Sequence, residues 1–557
     1  MKNSKLARTL GLTLTSALLL AACGNGGEDS AGDSSSEDSG DEEQVLNLLE
    51  SAEIPSMDSS NSTDAVSNIV LNNVNEGLYR QGPDNDLQLA MAAEEPTVSE
   101  DGLTYTFKIR EDAVWSNGEP VTANDFVYAW KRLVTPETAA EYAYMMDGIV
   151  KNASQVITGE MDPSELGVSA EDDQTFVVEL DKQVPYFKDL LSLSMFFPLN
   201  EEYVTEKGSE YATNSDSMLY NGPFELTDWD GTGLSWSMVK SENYWDADVV
   251  KLDRIDVNAV KETSTALNLY NAGDADRMTL SGEYVQTKQG APDLLTQPTS
   301  SVFYFKFNQE RNGEETPLAN ENIRKGIAMA FDKQSFADTV LQNGSFPANG
   351  LVPKELATGP ESNEDFRAEN GDLLTFDAEQ AAEYFNKGLE ELGQDSLTLE
   401  ILGDDTENSK RSLEFMQSQL ETNLPGLSIN LKNVPFKVRL DSNSKQDYDI
   451  QLAGWGADYA DPINFLELFE TENGNNKSGY SNPEYDALIE SAQNDASDLD
   501  GRWQDMLEAE QMLLDDAAIA PIYQRAYAVL EKDYVKDLVH HLTGADYSYK
   551  WTYIEGK

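Results

Sequence analysis

Gly454-Trp455-Gly456-Ala457-Asp458-Tyr459-Ala460-Asp461-Pro462 follows Tyr448-Asp449-Ile450-Gln451-Leu452-Ala453, and the two together read as a strand running through a loop into a helix. Tyr448 to Ala453 alternates apolar and polar residues, the period of a half-buried strand. Two glycines then bracket Trp455, so backbone can be approached closely there while a large aromatic stands beside it. Asp461 before Pro462 reads as the N-cap and first residue of a helix carrying Phe465, Leu466 and Phe469. Asp458 is left without a structural task, at the carboxyl end of a strand, where open α/β sheets place ligand sites. A carboxylate beside exposed backbone groups and an aromatic wall suits a ligand with a cationic head and a peptide-like body.

Upstream of this stretch the rhythm alternates. Asp377 with Gln380 caps a helix that runs to Gly393, and a strand with Leu397, Leu399 and Ile401 follows. A helix over Ser412 to Leu424 and a strand with Leu427, Ile429 and Leu431 lead back to Tyr448. Strands alternating with helices indicate an α/β sheet. Downstream, helices begin at Asn482-Pro483 and run over Leu499 to Leu514, and the tail from Ile519 is strand-like. Nearer the N-terminus, Val45 to Leu49 reads as a strand and Ala65 to Leu78 as a helix ending near Gly77. Leu103 to Ile109 alternates cleanly, and Thr122 with Asp125 opens a helix bearing Phe126, Val127 and Trp130. Further strands fall at Gln174 to Leu180, Gly222 to Leu226, Leu234 to Val239 and Val302 to Phe307, with a helix over Asn322 to Phe331. No repeat of 20–50 residues appears, which excludes a solenoid or propeller. The fold class expected is α/β with two lobes.

The 557 residues suffice for two or three domains. Lysine and arginine number 39 against 101 acidic residues, a formal charge of −62, so nucleic acid and anionic membrane surfaces are excluded as partners. Such acidity resembles that of proteins working in high salt, where screening suppresses self-repulsion. Lys2, Lys5 and Arg8 precede an apolar run from Leu10 to Leu20 that is too short to span a bilayer. It ends in Leu20-Ala21-Ala22-Cys23, which resembles a bacterial lipobox. That resemblance implies cleavage before Cys23 and a diacylglycerol on its thiol. Cys23 is the only cysteine, so neither a disulfide nor a thiolate metal site is available. Gly24 to Glu43 holds eight acidic and no basic residues and reads as a solvated tether. Without the three basic residues of the leader and the eight acids of the tether, the rest still carries −57.

Several stretches, in the same order from about residue 45 to the C-terminus, resemble the extracytoplasmic solute-binding proteins of ABC importers. The family meant is the large one that takes oligopeptides, dipeptides or nickel. Tyr105 to Arg110, Val114-Trp115-Ser116-Asn117-Gly118 and Val121 to Phe126 are similar to its most recognisable segment. Asn75-Glu76-Gly77-Leu78-Tyr79, Tyr220-Asn221-Gly222-Pro223-Phe224, Asn243-Tyr244-Trp245-Asp246, Asn322 to Ala328 and Gly454 to Pro462 complete the set. The resemblance implies a periplasmic-binding-protein-like fold of three domains, with a hinge and a cleft between two lobes. Domain I would be 44–75, 205–300 and 525–557, domain II 76–204 and domain III 301–524. It also implies an oligopeptide receptor, extracytoplasmic and monomeric, that binds ABC importer transmembrane subunits and is held to the membrane through Cys23. In the oligopeptide branch the ligand pairs with strand-like backbone, giving affinity independent of its sequence. The aspartate that holds the ligand's α-ammonium falls on Asp458, with Trp455 as a wall and Gly454 and Gly456 as backbone contacts. On the opposite lobe the matching loop is Ser62-Thr63-Asp64, and Tyr142, Phe303 and Tyr304 would be aromatic lining. Some members carry an arginine two residues before the glycine–tryptophan pair, to meet a short peptide's carboxylate. Leu452 stands there in this chain, which favours a longer peptide or one whose end points to water.

Other features read as structural. Trp115, Trp130 and Trp245 are expected in the core, and Asp125 as part of a capping box. Asp84-Asn85-Asp86 and Asp404-Asp405 are fragments of a calcium loop without its closing glutamate, so no metal is expected. His540 and His541, the only histidines, are expected at the surface, and no cofactor is implied. Within the family, an oligosaccharide or a peptide pheromone is the alternative ligand. A secreted glycosidase is the rival outside it, with no local signature among the many carboxylates.

Overall fold

The computed structural model describes residues 44–471, 473–494 and 498–557. The leader, Cys23 and the acidic tether lie outside the described residues. An eleven-stranded mixed sheet organises the rest, with strands β1 (Val45–Glu50), β2 (Phe224–Thr227), β3 (Ser235–Lys240), β4 (Arg254–Ala259) and β5 (Arg277–Leu280). It continues with β6 (Leu294–Phe307), β7 (Leu397–Asp404), β8 (Leu427–Val434), β9 (Ile450–Gly456) and β10 (Ile519–Glu531). The spatial order is β8-β7-β9-β6-β10-β5-β1-β4-β3-β2, with Phe346–Pro347 pairing on β10. The strands that alternate with helices pair in parallel, β7 with β8 and β1 with β4, as crossover connections require.

The antiparallel pair β6 and β10 ties the two halves of the sheet together. Its ladder shifts register between Pro298 and Val302. Before the shift β6 pairs with Ala526 to Leu530, and after it with Ile519 to Gln524. Side chains fill the gap: Thr299 Oγ1 donates to the Arg525 carbonyl at 2.8 Å, and Gln524 Nε2 to the Thr299 carbonyl at 3.0 Å. The alternation at Val302 to Phe307 marks only the second half of β6, because Leu294 to Thr299 carries exposed and polar residues that break the pattern.

Helices α1 (Ala65–Val74), α2 (Ala123–Val134), α3 (Ala378–Leu392), α4 (Glu407–Asn423), α5 (Phe436–Ser444), α6 (Ile463–Leu466) and α7 (Leu499–Asp515) surround the sheet and its insertion. α1 ends four residues before the expected Leu78. Asn221 draws the chain away there, with Oδ1 accepting from both Asn75 Nδ2 (3.1 Å) and the Glu76 amide (3.0 Å). α4 starts at Glu407, five residues before the expected Ser412, under a Thr406 cap. α2 has the expected capping box, with Asp125 Oδ2 accepting from the Thr122 amide at 2.7 Å. Burial pushes the Asp125 carboxyl up to about 6.

One apolar core holds Leu46, Val70, Trp236 and Ile255, and another holds Phe305, Phe331, Ile401 and Leu413. A third joins Phe107, Trp130 and Phe176 of the inserted segment to Tyr459, Phe465 and Met506 far along the chain. Trp115 and Trp130 are buried as expected, whereas Trp245 is half-buried, with the Arg110 guanidinium 3.5 Å above its ring. The histidines correct the expectation: neither is a surface residue. His541 is buried, its Nε2 2.8 Å from Ser548 Oγ, and burial lowers its pKa to about 4; His540 is half-buried. Their strand-rich tail packs against the N-terminal segment, so position near the C-terminus did not mean exposure.

Candidate functional site

A cavity of about 430 Å³ opens beside the carboxyl end of β9. Every residue from Gln451 to Gly456 lines it. β9 pairs with β6 along its whole length, from Phe307–Ile450 to Ser301–Gly456, but with β7 only at Ile450 and Gln451. From Leu452 to Gly456 the backbone therefore has no ladder partner on the β7 side among the described residues. A row of unpaired N–H and C=O groups on a strand edge is a template for another extended chain. Gly454 sits opposite Phe303, and a Cβ there would come within 2.8 Å of the Phe303 ring, so the glycine permits this close packing. Phe303 is itself stacked on Tyr523, with centroids 4.8 Å apart and planes 6° apart.

Asp458 lies past the end of β9 and is 8% exposed. Its amide donates to Asn464 Oδ1 at 2.8 Å, while Asn464 Nδ2 donates to Asp458 Oδ2 at 3.2 Å. Asn464 Oδ1 also accepts from Trp455 Nε1 at 3.3 Å, so one buried amide fixes both the carboxylate and its aromatic neighbour. On the other oxygen the Tyr142 hydroxyl approaches only to 3.4 Å. Both side-chain donors are neutral and both bonds are long for their type. Among the described residues no cation pairs with Asp458, and burial raises its pKa to about 7, against the weaker downward pull of Asn464 and Tyr142.

The structure brings most of the expected residues together. Asp458, Trp455, Gly454, Gly456, Thr63, Asp64, Tyr142, Phe303 and Tyr304 all line the cavity, as does Leu452. Two details differ. Asp64 turns its carboxylate to the Ser67 amide at 2.8 Å as the N-cap of α1. Asp461 is not a simple N-cap: α6 begins at Ile463 behind Pro462. Asp461 Oδ1 accepts from the Ile463 amide at 3.0 Å, and both its oxygens accept from Arg502 at 2.9 Å. A buried guanidinium 41 residues away thus shares the carboxylate with the local amide.

Sequence reading missed α5. Phe436, Arg439, Leu440 and Asn443 occupy one helical face and line the cavity, and no residue of α5 is buried. Its outer residues bridge distant segments: Lys437 Nζ donates to the Pro55 carbonyl at 3.0 Å, and Ser444 Oγ to Glu141 Oε1 at 2.6 Å. The spacing of Phe436, Arg439, Leu440 and Asn443 was the available signal, but with a charge and an amide on the inner face it does not read as an apolar stripe. Elsewhere Tyr186 stacks on Tyr459 with centroids 4.5 Å apart, so the inserted segment is packed against the Asp458 loop.

These features define a ligand-binding protein of α/β type whose cavity presents a strand edge and an unpaired acid. The chain belongs to the bacterial extracellular solute-binding proteins, family 5, whose model matches residues 86–477. It is 34% identical to a dipeptide-binding protein of Lactococcus lactis subsp. cremoris, over all of both chains. Among solved structures, Listeria monocytogenes OppA bound to peptide is 50% identical with a TM-score of 0.90, over 92% of this chain and all of that one. Escherichia coli MppA, a murein tripeptide-binding protein 28% identical over 92% of this chain, superposes with a TM-score of 0.82 in one structure (99% of that chain). Its unliganded open form reaches only 0.58 (98% of that chain), so the arrangement seen here differs from that open one. The relatives are substrate-binding proteins, and this chain is a binding protein of the same extracytoplasmic family rather than an enzyme. No helix among the described residues is long and apolar enough to cross a membrane.

Proposed function

We propose that this chain captures oligopeptides in the cavity beside β9 and delivers them to the transmembrane subunits of an ABC-type peptide importer, as a monomer held at the outer face of the cell membrane by a lipid on Cys23. The observation that carries the reading is Asp458, a buried carboxylate with only neutral partners at the end of an unpaired strand edge. An α-ammonium entering there gains a charge-assisted bond, while the peptide backbone pairs with Leu452 to Gly456. Trp455, Tyr142, Phe303 and Tyr304 wall the ligand, and the Thr63-Asp64 loop meets it from the opposite side. The domain boundaries follow from the same reading: 44–75, 205–300 and 525–557 form one domain, 76–204 the second and 301–524 the third. The register shift of β6 at Pro298 to Val302, opposite Gln524 and Ala526 of β10, supports a hinge where two of these boundaries fall.

Titration calorimetry with an alanine pentapeptide tests the assignment. Asp458→Asn lowers affinity at least tenfold, about 1.4 kcal/mol or more, and N-acetylating the peptide lowers wild-type affinity equally. Unchanged affinity in both experiments removes Asp458 from the site.

A further inference from the structure

Away from Asp458 the cavity holds two cations that no carboxylate pairs with among the described residues. Arg439 projects from the inner face of α5; its Nε is buried without a hydrogen-bond partner, and its guanidinium lies 5.0 Å from the Phe436 ring centroid. Lys306 of β6 is buried, with Nζ bonded only to Asn443 Oδ1 and the Asn475 carbonyl, both at 3.2 Å. Desolvation lowers both, Lys306 to about 8, and the charge of Arg439 lowers Lys306 further. In a chain with 101 acids and 39 bases, uncompensated bases are unexpected. The carboxylates that act on them are already engaged. Asp64 caps α1, Asp404 accepts from the Thr406 amide and hydroxyl at 3.1 and 2.6 Å, and Glu141 accepts from Ser444. Neither cation contributes to the environment of Asp458, so the cavity has an anionic place and a separate cationic one.

The geometry points to a carboxylate subsite formed by Arg439 and Lys306, filled by an acidic side chain or the C-terminal carboxylate of the bound peptide. It rests on the peptide-binding reading above and adds a ligand preference to it. Leu452 supplies no cation from β9 itself, and this pair supplies one from α5 and from β6, where Lys306 stands opposite Gln451. A carboxylate arriving here would satisfy Arg439 Nε and give two desolvated cations the counter-charge they lack, which a neutral ligand cannot do.

Alanine pentapeptides with a single glutamate or glutamine at each position, as free acids and as C-terminal amides, test this by calorimetry. The wild type binds at least one carboxylate form tenfold or more tighter than its neutral counterpart. A preference that follows the glutamate identifies a side chain, and one that follows the free acid identifies the C-terminus. Arg439→Gln and Lys306→Gln each reduce that preference, read as the ratio of the two affinities within each variant, to about twofold or less. Equal wild-type affinities across the series overturn the subsite, as does a preference that survives both substitutions. No binding of any peptide overturns the proposed function itself, a separate result.

Discussion

Two buried carboxylates in this molecule are treated in opposite ways. Glu510 of α7 is fully buried and accepts five hydrogen bonds. Its Oε1 takes the Leu351 and Val352 amides at 2.8 Å and Arg367 Nη1 at 2.6 Å, and its Oε2 takes Arg367 Nη2 at 2.7 Å and Asn370 Nδ2 at 2.6 Å. Asp458 has two long bonds to neutral groups and, among the described residues, no cation. Burying a charge is tolerable only when counter-charge and hydrogen bonds replace the lost water. Around Glu510 the chain supplies them itself, because that site joins α7 to distant loops. Around Asp458 it withholds them, and the deficit is one that an ammonium-bearing ligand can cancel. Asp461, three residues on, falls on the Glu510 side of the divide through its two bonds to Arg502.

The strongest way to break this comparison is to strip Glu510 of its cation. Arg367→Met leaves a fully buried carboxylate without charge compensation, a loss of about 3–5 kcal/mol of stability. Urea denaturation reads this directly, and peptide affinity of the remaining folded protein stays at the wild-type level. A cost within about 0.5 kcal/mol, the range of ordinary surface substitutions, would mean that Glu510 needs no more compensation than Asp458.

Asp458 sharpens the contrast through pH. Its folded pKa is raised from 3.8 to about 7, so between those values the ligand-free folded chain holds a proton that the unfolded chain has released. Stability of the empty protein therefore falls as pH rises through that window, and the loss persists above it. Glu467, raised to about 8, and Glu50, raised to about 7, add slopes of the same sign, so the difference between wild type and Asp458→Asn isolates one group. The variant, lacking this ionisation, matches the wild type below about pH 4, gains on it progressively from there to about pH 7, and keeps that advantage above it. Peptide binding has the reverse sign. Pairing with an ammonium requires the ionised form, so wild-type affinity weakens below pH 7, by up to about tenfold per unit. Asp458→Asn shows no such slope, and parallel pH profiles for the two chains would break the assignment.

Where the sequence was legible, one local pattern matched one local environment. Tyr448 to Asp458 could be read because its residue types alternate, Gly454 sits where a side chain would strike Phe303, and the leftover aspartate does face a cavity. The collinear family motifs extended that reading to Tyr142, Phe303 and Tyr304, which spacing alone would not have joined to Asp458. Legibility ended where distant residues decide. The Arg502 pairing of Asp461, the burial of His541 and the early end of α1 at Asn221 all depend on partners far away in sequence. The first half of β6 was hidden for a related reason, since its hydrogen bonds to β10 hold it in place without an apolar face.

α5 gives the smallest energetic effect and the clearest local test. α4, the preceding helix, buries Leu413, Met416 and Leu420 against the sheet, whereas α5 buries nothing and turns Phe436, Arg439, Leu440 and Asn443 to the cavity. A nine-residue helix has little intrinsic stability, and most helical stability in proteins comes from packing of one face. Without a ligand, α5 rests chiefly on bonds such as Lys437 to Pro55 and Ser444 to Glu141, which connect segments that separate if the lobes open. Its amides therefore exchange with solvent deuterium at least tenfold faster than those of α4 in the empty protein, since local opening costs less where few apolar contacts are lost. Saturating pentapeptide slows α5 and leaves α4 nearly unchanged, because the ligand supplies the packing that the chain does not. Equal protection of both helices in the empty protein would place the stability of α5 in the fold, and its inner face would then be a wall rather than a part completed by the ligand.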